Sequence, residues 1–564
     1  MSMRRTLPNR REFMNGLIGA AGALSAAGAS AKSRGEVPSQ QASEGRLQKP
    51  LLYFNDDANV LVYSASPLQP EGLANYVGML GRSGIDILAW DVSINGVCLY
   101  GGSKAGPGVN EGREPIDLES SIAAENIRHL TQAGANPPAL VAQECHRYGV
   151  RMIAAFRMGE TIITKSRMTG GGGVYYNPKV IEMGDKVVKT LPIKDRSYSG
   201  WANPKVLSML DWAHPEVREL VLAPIREVVE KFDVDGIELT AHGCIFFDAD
   251  QAVHEAPIMT GFVREVRQVL DQAAQRKGKD HLLLGARVFD EPGVNLRYGL
   301  DVGEWIKHDL VDIVMPTQGH GIYFDAPIEE FVNLCKGHQC LVLPTISPGM
   351  PIFTYSQFSD FNHLAYTLPQ VRAVVESWYR RGASGISTYN FQHRASDSVP
   401  WDEAVGWLKQ LSDPAFVRTG ERTWPLFGIS LSFRSDEVGI RKTIAVPRYA
   451  VVPLSDHVQP PKLRFQALQL APHDVLEIDV DGVRVANIHT EFTISRKHQG
   501  WITGQFTHSR EGDLSDLYPA FTVEAPLANL RPSSEIGVRL LKRHFLSEIQ
   551  ITEVSIETLG RAEG

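Results

Sequence analysis

The run Asp235-Gly236-Ile237-Glu238-Leu239-Thr240-Ala241-His242 places polar groups at every second position of a segment short enough to be one strand. Strand side chains alternate, so Glu238, Thr240 and His242 share one face, and Ile237 and Leu239 take the other. A carboxylate and an imidazole on one face are groups that move protons near neutral pH. Acid–base and nucleophilic catalysis commonly use one carboxyl as acid and a second as base or nucleophile. Glu238 offers one carboxyl, with His242 placed to assist or tune proton transfer. The other candidates are Asp290 and Glu291, just after a fifth expected strand, and Asp91 at the end of the second. The same face is also what a partly solvated strand end with satisfied polar groups would look like.

Two arginines fall at comparable places: Arg157 ends the third expected strand and Arg287 lies in the fifth. A planar guanidinium matches a substrate carboxylate or sulfate in bidentate fashion, and would equally pair with Glu238 or Asp91 inside a barrel. Gln318 and His320 follow the sixth strand, and Tyr389, Asn390 and Gln392 follow the eighth. With Asp91, Arg157 and Arg287 these form an expected substrate-binding set.

Such residues need a frame that brings strand ends together. From about 50 to 415, short apolar runs alternate with segments of helical period, the pattern of βα units around a parallel sheet. The expected strands are Leu61–Ser64, Ile85–Asp91, Arg151–Phe156, Gly236–Thr240, Leu282–Val288, Ile313–Pro316, Cys340–Pro344 and Gly385–Tyr389. Helices are expected near 123–134, 139–148, 214–232, 257–275, 302–309 and 366–381. The fold class is α/β, a (β/α)₈ TIM barrel, with catalysis at the C-terminal ends of the strands. An open doubly wound sheet would want a Gly-rich phosphate turn after its first strand, and none is present. The Gly170–Gly173 run lacks the Lys-Ser/Thr of a phosphate loop and reads as a loop tip. Long insertions at 92–120 and 158–204 follow strands and are expected at the barrel mouth. Their Tyr100, Tyr175, Tyr176, Tyr198 and Trp201 would suit the apolar faces of sugars, or simply pack the loops on themselves.

After about 420 the texture changes to short strand-like runs separated by turn residues: Lys442–Val446, Leu463–Leu470, Val475–Asp479, Phe492–Ser495, Phe521–Val523, Gly537–Leu541 and Glu548–Ile556. Asp481-Gly482 is a two-residue hairpin signal. The expected organisation is a barrel over 49–418 and an all-β sandwich over 419–564, the second bracing the first or binding glycan.

The chain's 564 residues accommodate both modules, and 43% hydrophobic with 22% charged residues is ordinary for a globular protein. A net charge of −8 without a basic run argues against nucleic acid as a partner. The five cysteines, Cys98, Cys145, Cys244, Cys335 and Cys340, are too sparse for a disulfide framework, though Cys335 and Cys340 are close enough in sequence to pair. No Cys/His spacing suits zinc, and no metal or other cofactor is called for. At the N-terminus, Arg10-Arg11-Glu12-Phe13-Met14, a modest apolar stretch and Ala29-Ser30-Ala31 read as a twin-arginine export signal over 1–31, followed by a polar linker over 32–48. The apolar stretch is too short to be a membrane anchor. The implied destination is the periplasm or the exterior, and the implied partner is the twin-arginine export machinery.

Three segments together resemble the bacterial glycosyl-hydrolase-like barrels related to family 10-like glycosidases. They are Leu210-Asp211-Trp212-Ala213-His214-Pro215-Glu216-Val217-Arg218 with Phe232 to Leu239, then Gly299 to Pro316, then Gly382 to Asn390. The fourth strand also resembles the chitinase-type Asp-Gly-x-Asp-x-Asp-x-Glu run, with Asp235, Glu238, Thr240 and His242 at the four polar positions. The resemblance spans about 50–415 and implies a barrel glycosidase acting on an oligo- or polysaccharide. It departs where relatives carry a carboxylate at Thr240 and an acid at His242. That departure keeps two other readings open. One is a lyase on a uronate glycan, with an arginine on the substrate carboxylate and Tyr389 or His242 as base. The other is a barrel that binds glycan without turnover.

Overall fold

The computed structural model describes residues 51–560, apart from 65, 113, 116, 160–176, 184–185, 187–208, 318–321, 323, 325, 348–349, 352–362, 365–366, 392–400, 427–430, 447–457, 497–516, 528–529, 532–533 and 545. The export segment, the linker, the Gly170–Gly173 run, Tyr175, Tyr176, Tyr198 and Trp201 lie outside the described residues. The chain divides into two compact units. One is drawn from residues up to 322 with 326–348 and 381–412, and the other from 323–325, 349–380 and 413 onward.

The first unit is a parallel barrel. Its strands are β1 (Leu51–Asn55), β2 (Ile87–Ile94), β3 (Arg151–Arg157), β4 (Gly236–Thr240), β5 (Leu283–Phe289) and β6 (Ile313–Thr317). They are followed by β7, in two pieces (Leu341–Val342 and Thr345–Ile346), and β8 (Gly385–Thr388). The two pieces of β7 close the barrel: Leu341 and Val342 pair with Ile313 and Val314 of β6, while Thr345 and Ile346 pair with Ser387 and Thr388 of β8. Strand β8 then pairs with β1. The expected first strand was misplaced. Residues 61–63 belong to a short helix, Asn59–Tyr63, and the strand is the wholly buried Leu51–Asn55. The apolar Val60-Leu61-Val62 run, with two β-branched valines, suits a strand locally, but only the Leu-Leu-Tyr-Phe segment is in register with both β2 and β8.

Alternation along each strand builds the interior in layers. Leu51, Tyr53, Ile87, Ala89, Ile153, Ala155, Ile313, Met315, Leu341 and Leu343 form one buried cluster inside the barrel. Two residues further along the same inward rows the character changes. The rows end in Asn55, Asp91, Arg157, Thr240, Arg287, Thr317, Thr345 and Tyr389, a polar layer at the C-terminal mouth.

The N-terminal end of the barrel is tied by a repeated device. Asp86 precedes β2, and its Oδ2 accepts from the Leu52 N–H of β1 at 2.7 Å. Asp235, before β4, accepts from Met152 N of β3 at 2.9 Å. Asp312, before β6, accepts from Leu284 N of β5 at 2.7 Å. Each such aspartate also donates its own N–H to the carbonyl of the same residue, closing a small ring. At β8 the position is Ser384, which keeps only the backbone half, to Val342.

The second unit is a sandwich of antiparallel sheets. One contains β9 (Glu421–Pro425), β10 (Leu431–Phe433), β12 (Lys462–Leu468), β15 (His489–Arg496), β16 (Leu517–Pro526) and β18 (Ile549–Leu559). The other contains β11 (Arg441–Ala445), β13 (Val475–Val480), β14 (Val483–Arg484) and β17 (Glu535–Lys542). Asp481 and Gly482 join β13 to β14 with φ of 52° and 82°, the positive pair that a tight hairpin turn of the expected type requires. Strands β9 and β10 had no clear alternation and are additions to the expected set. The helix Leu368–Arg380, which lies in sequence between β7 and β8, groups with this unit and packs on β9.

Candidate active site

Glu238 sits midway up β4, opposite Ala155 and Gly285, with its side chain inside the barrel and no exposure. The Oε1 atom accepts from Arg287 Nε at 2.7 Å and from Thr240 Oγ1 at 2.8 Å. The Oε2 atom accepts from Tyr53 Oη at 2.7 Å, Asn55 Nδ2 at 3.3 Å and Arg287 Nη2 at 3.4 Å. Burial alone would raise this carboxyl. The Arg287 charge and the bonds from Arg287, Tyr53 and Thr240 overturn that and hold it below its ordinary value. Arg287 is as buried as its partner. Its Nη1 reaches Thr345 Oγ1 at 3.0 Å and Thr317 Oγ1 at 3.4 Å, and those hydroxyls continue to Ser387 through a 2.6 Å contact from Thr345. Glu238 is therefore an ionised group just beneath the polar layer, with each oxygen already accepting more than one bond.

Above it lies a second group of charges. Asp91 follows Ile87 and Ala89 on the inward row of β2, is 1% exposed, and neither of its oxygens accepts a hydrogen bond among the described residues. Arg157, at the end of β3, brings Nε to 4.0 Å from Asp91 Oδ2 and Nη2 to 3.2 Å from Asp57 Oδ1. The same Nη2 donates to the Tyr389 hydroxyl. Burial pushes the Asp91 carboxyl well above its usual range, the nearby Asp57 charge adds to this, and Arg157 only partly opposes it. Asp57 is raised by burial too, against the pull of Arg157 and a hydrogen bond from Asn390. Next to it, burial lifts Asp56 to about 7 despite the 2.7 Å bond it accepts from Tyr76.

The remaining expected residues are placed as follows. The His242 ring stands edge-on to Tyr389, with centroids 4.6 Å apart, and is 7% exposed. Tyr389 continues the inward row of β8, its ring centre 5.5 Å from the Arg287 guanidinium carbon and 6.0 Å from that of Arg157. Asn390 has φ of 51° and accepts from Asn59 Nδ2 at 3.0 Å. Asp290 and Glu291 follow β5; Asp290 is buried, and Glu291 leads into the helix Pro292–Arg297 on a loop tied by the Asn295 amide to Phe289 and Glu291 backbone atoms. Gln318, His320 and Gln392 lie outside the described residues.

Tyr100 does not serve the mouth. It is buried edge-on against Phe232 at 5.3 Å and lies under the Lys231 ammonium. Its loop runs along the helix Pro215–Lys231, where Glu227 accepts from the Lys104 and Ala105 N–H groups. The loop after β2 therefore descends the outside of the barrel instead of crowning it. All five cysteines are buried free thiols.

Tyr53, Asn55, Asp56 and Asp57 were missed because the first strand was placed ten residues late. The available signal was the abrupt change from Leu-Leu-Tyr-Phe to Asn55-Asp56-Asp57, the same apolar-to-polar switch that ends the other strands.

No protein-family model matches this chain, and no curated protein matches it. Among solved structures it is similar to the PgaB (BpsB) glycoside hydrolase domain from Bordetella bronchiseptica, with 12% identity, 65% of this chain and 99% of that chain covered, and a TM-score of 0.41. It is also similar to the alpha-amylase from Geobacillus thermoleovorans complexed with acarbose, with 12% identity, 88% and 98% covered, and a TM-score of 0.35. A third is alpha-L-fucosidase isoenzyme 2 from Paenibacillus thiaminolyticus, with 11% identity, 64% and 49% covered, and a TM-score of 0.36. At such identities and TM-scores none of these likenesses assigns a chemistry to this chain.

Proposed function

We propose that this chain is an exported carbohydrate-active enzyme that hydrolyses a glycosidic bond at the C-terminal mouth of its barrel. The observation that carries the reading is Asp91: a carboxyl on an inward row at the mouth, buried, raised well above its usual range, and accepting no hydrogen bond among the described residues. A carboxyl whose environment favours the protonated form suits the leaving oxygen of a sugar as its proton donor. Glu238, with both oxygens engaged, holds Arg287 and the polar layer in place and does not meet the sugar. Tyr389 and His242 supply an edge for the ring to lie against. Export rests on the paired arginines at the N-terminus; no helix among the described residues is long and apolar enough to cross a membrane.

The test is a screen of labelled neutral, amino and uronate oligosaccharides with the wild type and Asp91→Asn. New reducing ends with the wild type, and turnover lower by about two to four orders of magnitude in the variant, are expected from a positioned acid. Binding without products would sink the reading. A second reading, elimination on a uronate glycan, is favoured by the contact between Arg157 and the Tyr389 hydroxyl, since a guanidinium can take the substrate carboxylate while the phenol removes a proton. It predicts ultraviolet absorbance from an unsaturated product instead.

A further inference from the structure

A second buried carboxyl, Asp57 in the turn after β1, shares the Arg157 guanidinium with Asp91. The chain leaves Asn55 and passes through Asp57 and Ala58 with φ of 54° and 57°. Two successive non-glycine residues in the left-handed region are strained and persist only where the surroundings enforce them. Here they are enforced. Asp56 is gripped by the Tyr76 hydroxyl at 2.7 Å and the Val60 N–H at 3.4 Å. Asn59 donates to the Asp56 carbonyl and to Asn390 Oδ1 across on the β8 end. The result is to aim Asp57 at Arg157: Oδ1 and Oδ2 lie 3.2 Å and 3.4 Å from Nη2, while Asp91 Oδ2 lies 4.0 Å from Nε of the same guanidinium. The side chain of Asp57 is 7% exposed and that of Asp91 1%.

We propose that Asp57 is the nucleophile of the hydrolysis, working as a retaining pair with Asp91; this rests on the hydrolase reading above. Both carboxylates reach one edge of one guanidinium, which fits the roughly 5–5.5 Å spacing of retaining pairs better than the roughly 6.5–9.5 Å of inverting ones. In the first step an Asp57 oxygen bonds to the anomeric carbon as that carbon's bond to the leaving sugar breaks. The electron pair of the broken bond stays on the leaving oxygen, which takes the proton of Asp91. In the second, Asp91, now a carboxylate, takes a proton from water as the water oxygen bonds to the anomeric carbon and the Asp57 ester bond breaks. One water is consumed, two hydroxyls are formed, and both carboxyls return to their starting state. Arg157 opposes the rise that burial gives the Asp57 carboxyl and fixes where it points, so it is a positioning residue.

The experiment uses the full chain and a panel of dinitrophenyl glucosides, galactosides and N-acetylglucosaminides, whose leaving group needs no proton. The wild type should cleave at least one of them, Asp91→Asn should keep the first step on it, and Asp57→Ala should lose at least about 100-fold. Azide should restore turnover to Asp57→Ala with formation of a glycosyl azide. The matching fluorosugar, with fluorine beside the anomeric carbon, should add its mass to the wild-type peptide that contains Asp57. Asp57→Asn, which keeps the shape, should melt like the wild type and also lose turnover, so that a folding defect in the alanine variant cannot stand in for the result. Cleavage by the wild type with Asp57→Asn within about fivefold, or with the label on another residue, overturns the assignment while leaving the hydrolase reading intact. No cleavage of any labelled glycan or dinitrophenyl glycoside by the wild type overturns both.

Discussion

Replacing Glu238 by Gln removes the charge that balances Arg287 where neither side chain meets solvent. Breaking a buried pair from one side typically costs about 3–5 kcal/mol, because the remaining charge is left without compensation. Glu238→Gln should therefore lower the unfolding free energy by roughly 3 kcal/mol, while Glu238→Leu with Arg287→Met should recover part of that loss. A denaturant melt of the three variants decides it. A Glu238→Gln protein that melts like the wild type yet fails to turn over would return Glu238 to the chemistry. Asp91 should behave in the opposite way. Its folded pKa is raised, so the folded state binds more protons than the unfolded, and stability falls as pH rises from the unfolded value of about 3.9 through the folded one. Asp91→Asn should then melt higher than the wild type at neutral pH, with the gain shrinking toward acid. In the wild type, turnover should be lost as pH rises through the Asp91 pKa, because the protonated form is the active one. A variant less stable at neutral pH, or a rate profile without that alkaline limb, would contradict the assignment.

Among elements, the aspartates that enter β2, β4 and β6 are the joints of the barrel floor. At Asp235 the joint is also charged: His146 Nε2 lies 2.8 Å from its Oδ2, and Lys279 Nζ 3.3 Å from its Oδ1. The hydrogen bond that His146 donates to Asp235 raises the imidazole, against burial, and Asp233 adds to the rise while Lys279 opposes it. A raised histidine contributes stability that is complete below its unfolded value of about 6.5 and is lost as pH rises through its folded value. The difference in unfolding free energy between the wild type and His146→Ala should therefore be largest in mild acid and shrink above neutrality; a difference that does not change with pH would remove the ion pair from the account. In the sandwich, Gly482 has φ of 82° and open space where a Cβ would go, so Gly482→Ala should cost only the backbone term, about 1 kcal/mol. A loss several times larger would mean that the turn does more than connect β13 to β14.

For the whole molecule, the two units are interleaved along the chain. A chain ending at Ser412 leaves the helix Leu368–Arg380, with Val371, Val374, Val375 and Trp378 buried along it, without the β9 strand on which it packs. Each side chain so uncovered forfeits about 1.5–3 kcal/mol, and aggregation is the expected result on size exclusion; a soluble monomer would show that the helix finds other cover. Export belongs to this scale too. Arg10→Lys with Arg11→Lys should keep the folded protein in the cytoplasm on fractionation, because the export receptor reads guanidiniums and not charge alone.

The alternation of apolar runs with helical segments was enough, with no coordinates, to give a closed βα barrel followed by a β-sandwich. Asp481-Gly482 was enough to place a hairpin, because each follows from local periodicity or a local backbone demand. The polar residues at strand ends were legible for the same reason: parity along a strand is fixed by its pleat. What tertiary structure alone decided was partnership. Glu238 and Arg287 lie on neighbouring strands, and only the register that sets Thr240 beside Arg287 brings the guanidinium onto the carboxylate. Asp57 stands in the turn after β1 and Asp91 on β2, and they come to one guanidinium because that strained turn and an arginine from β3 converge over the barrel mouth. A chain shows which side chains point inward; which of them end within reach of one another depends on pairing across long separations, and only the folded barrel fixes that.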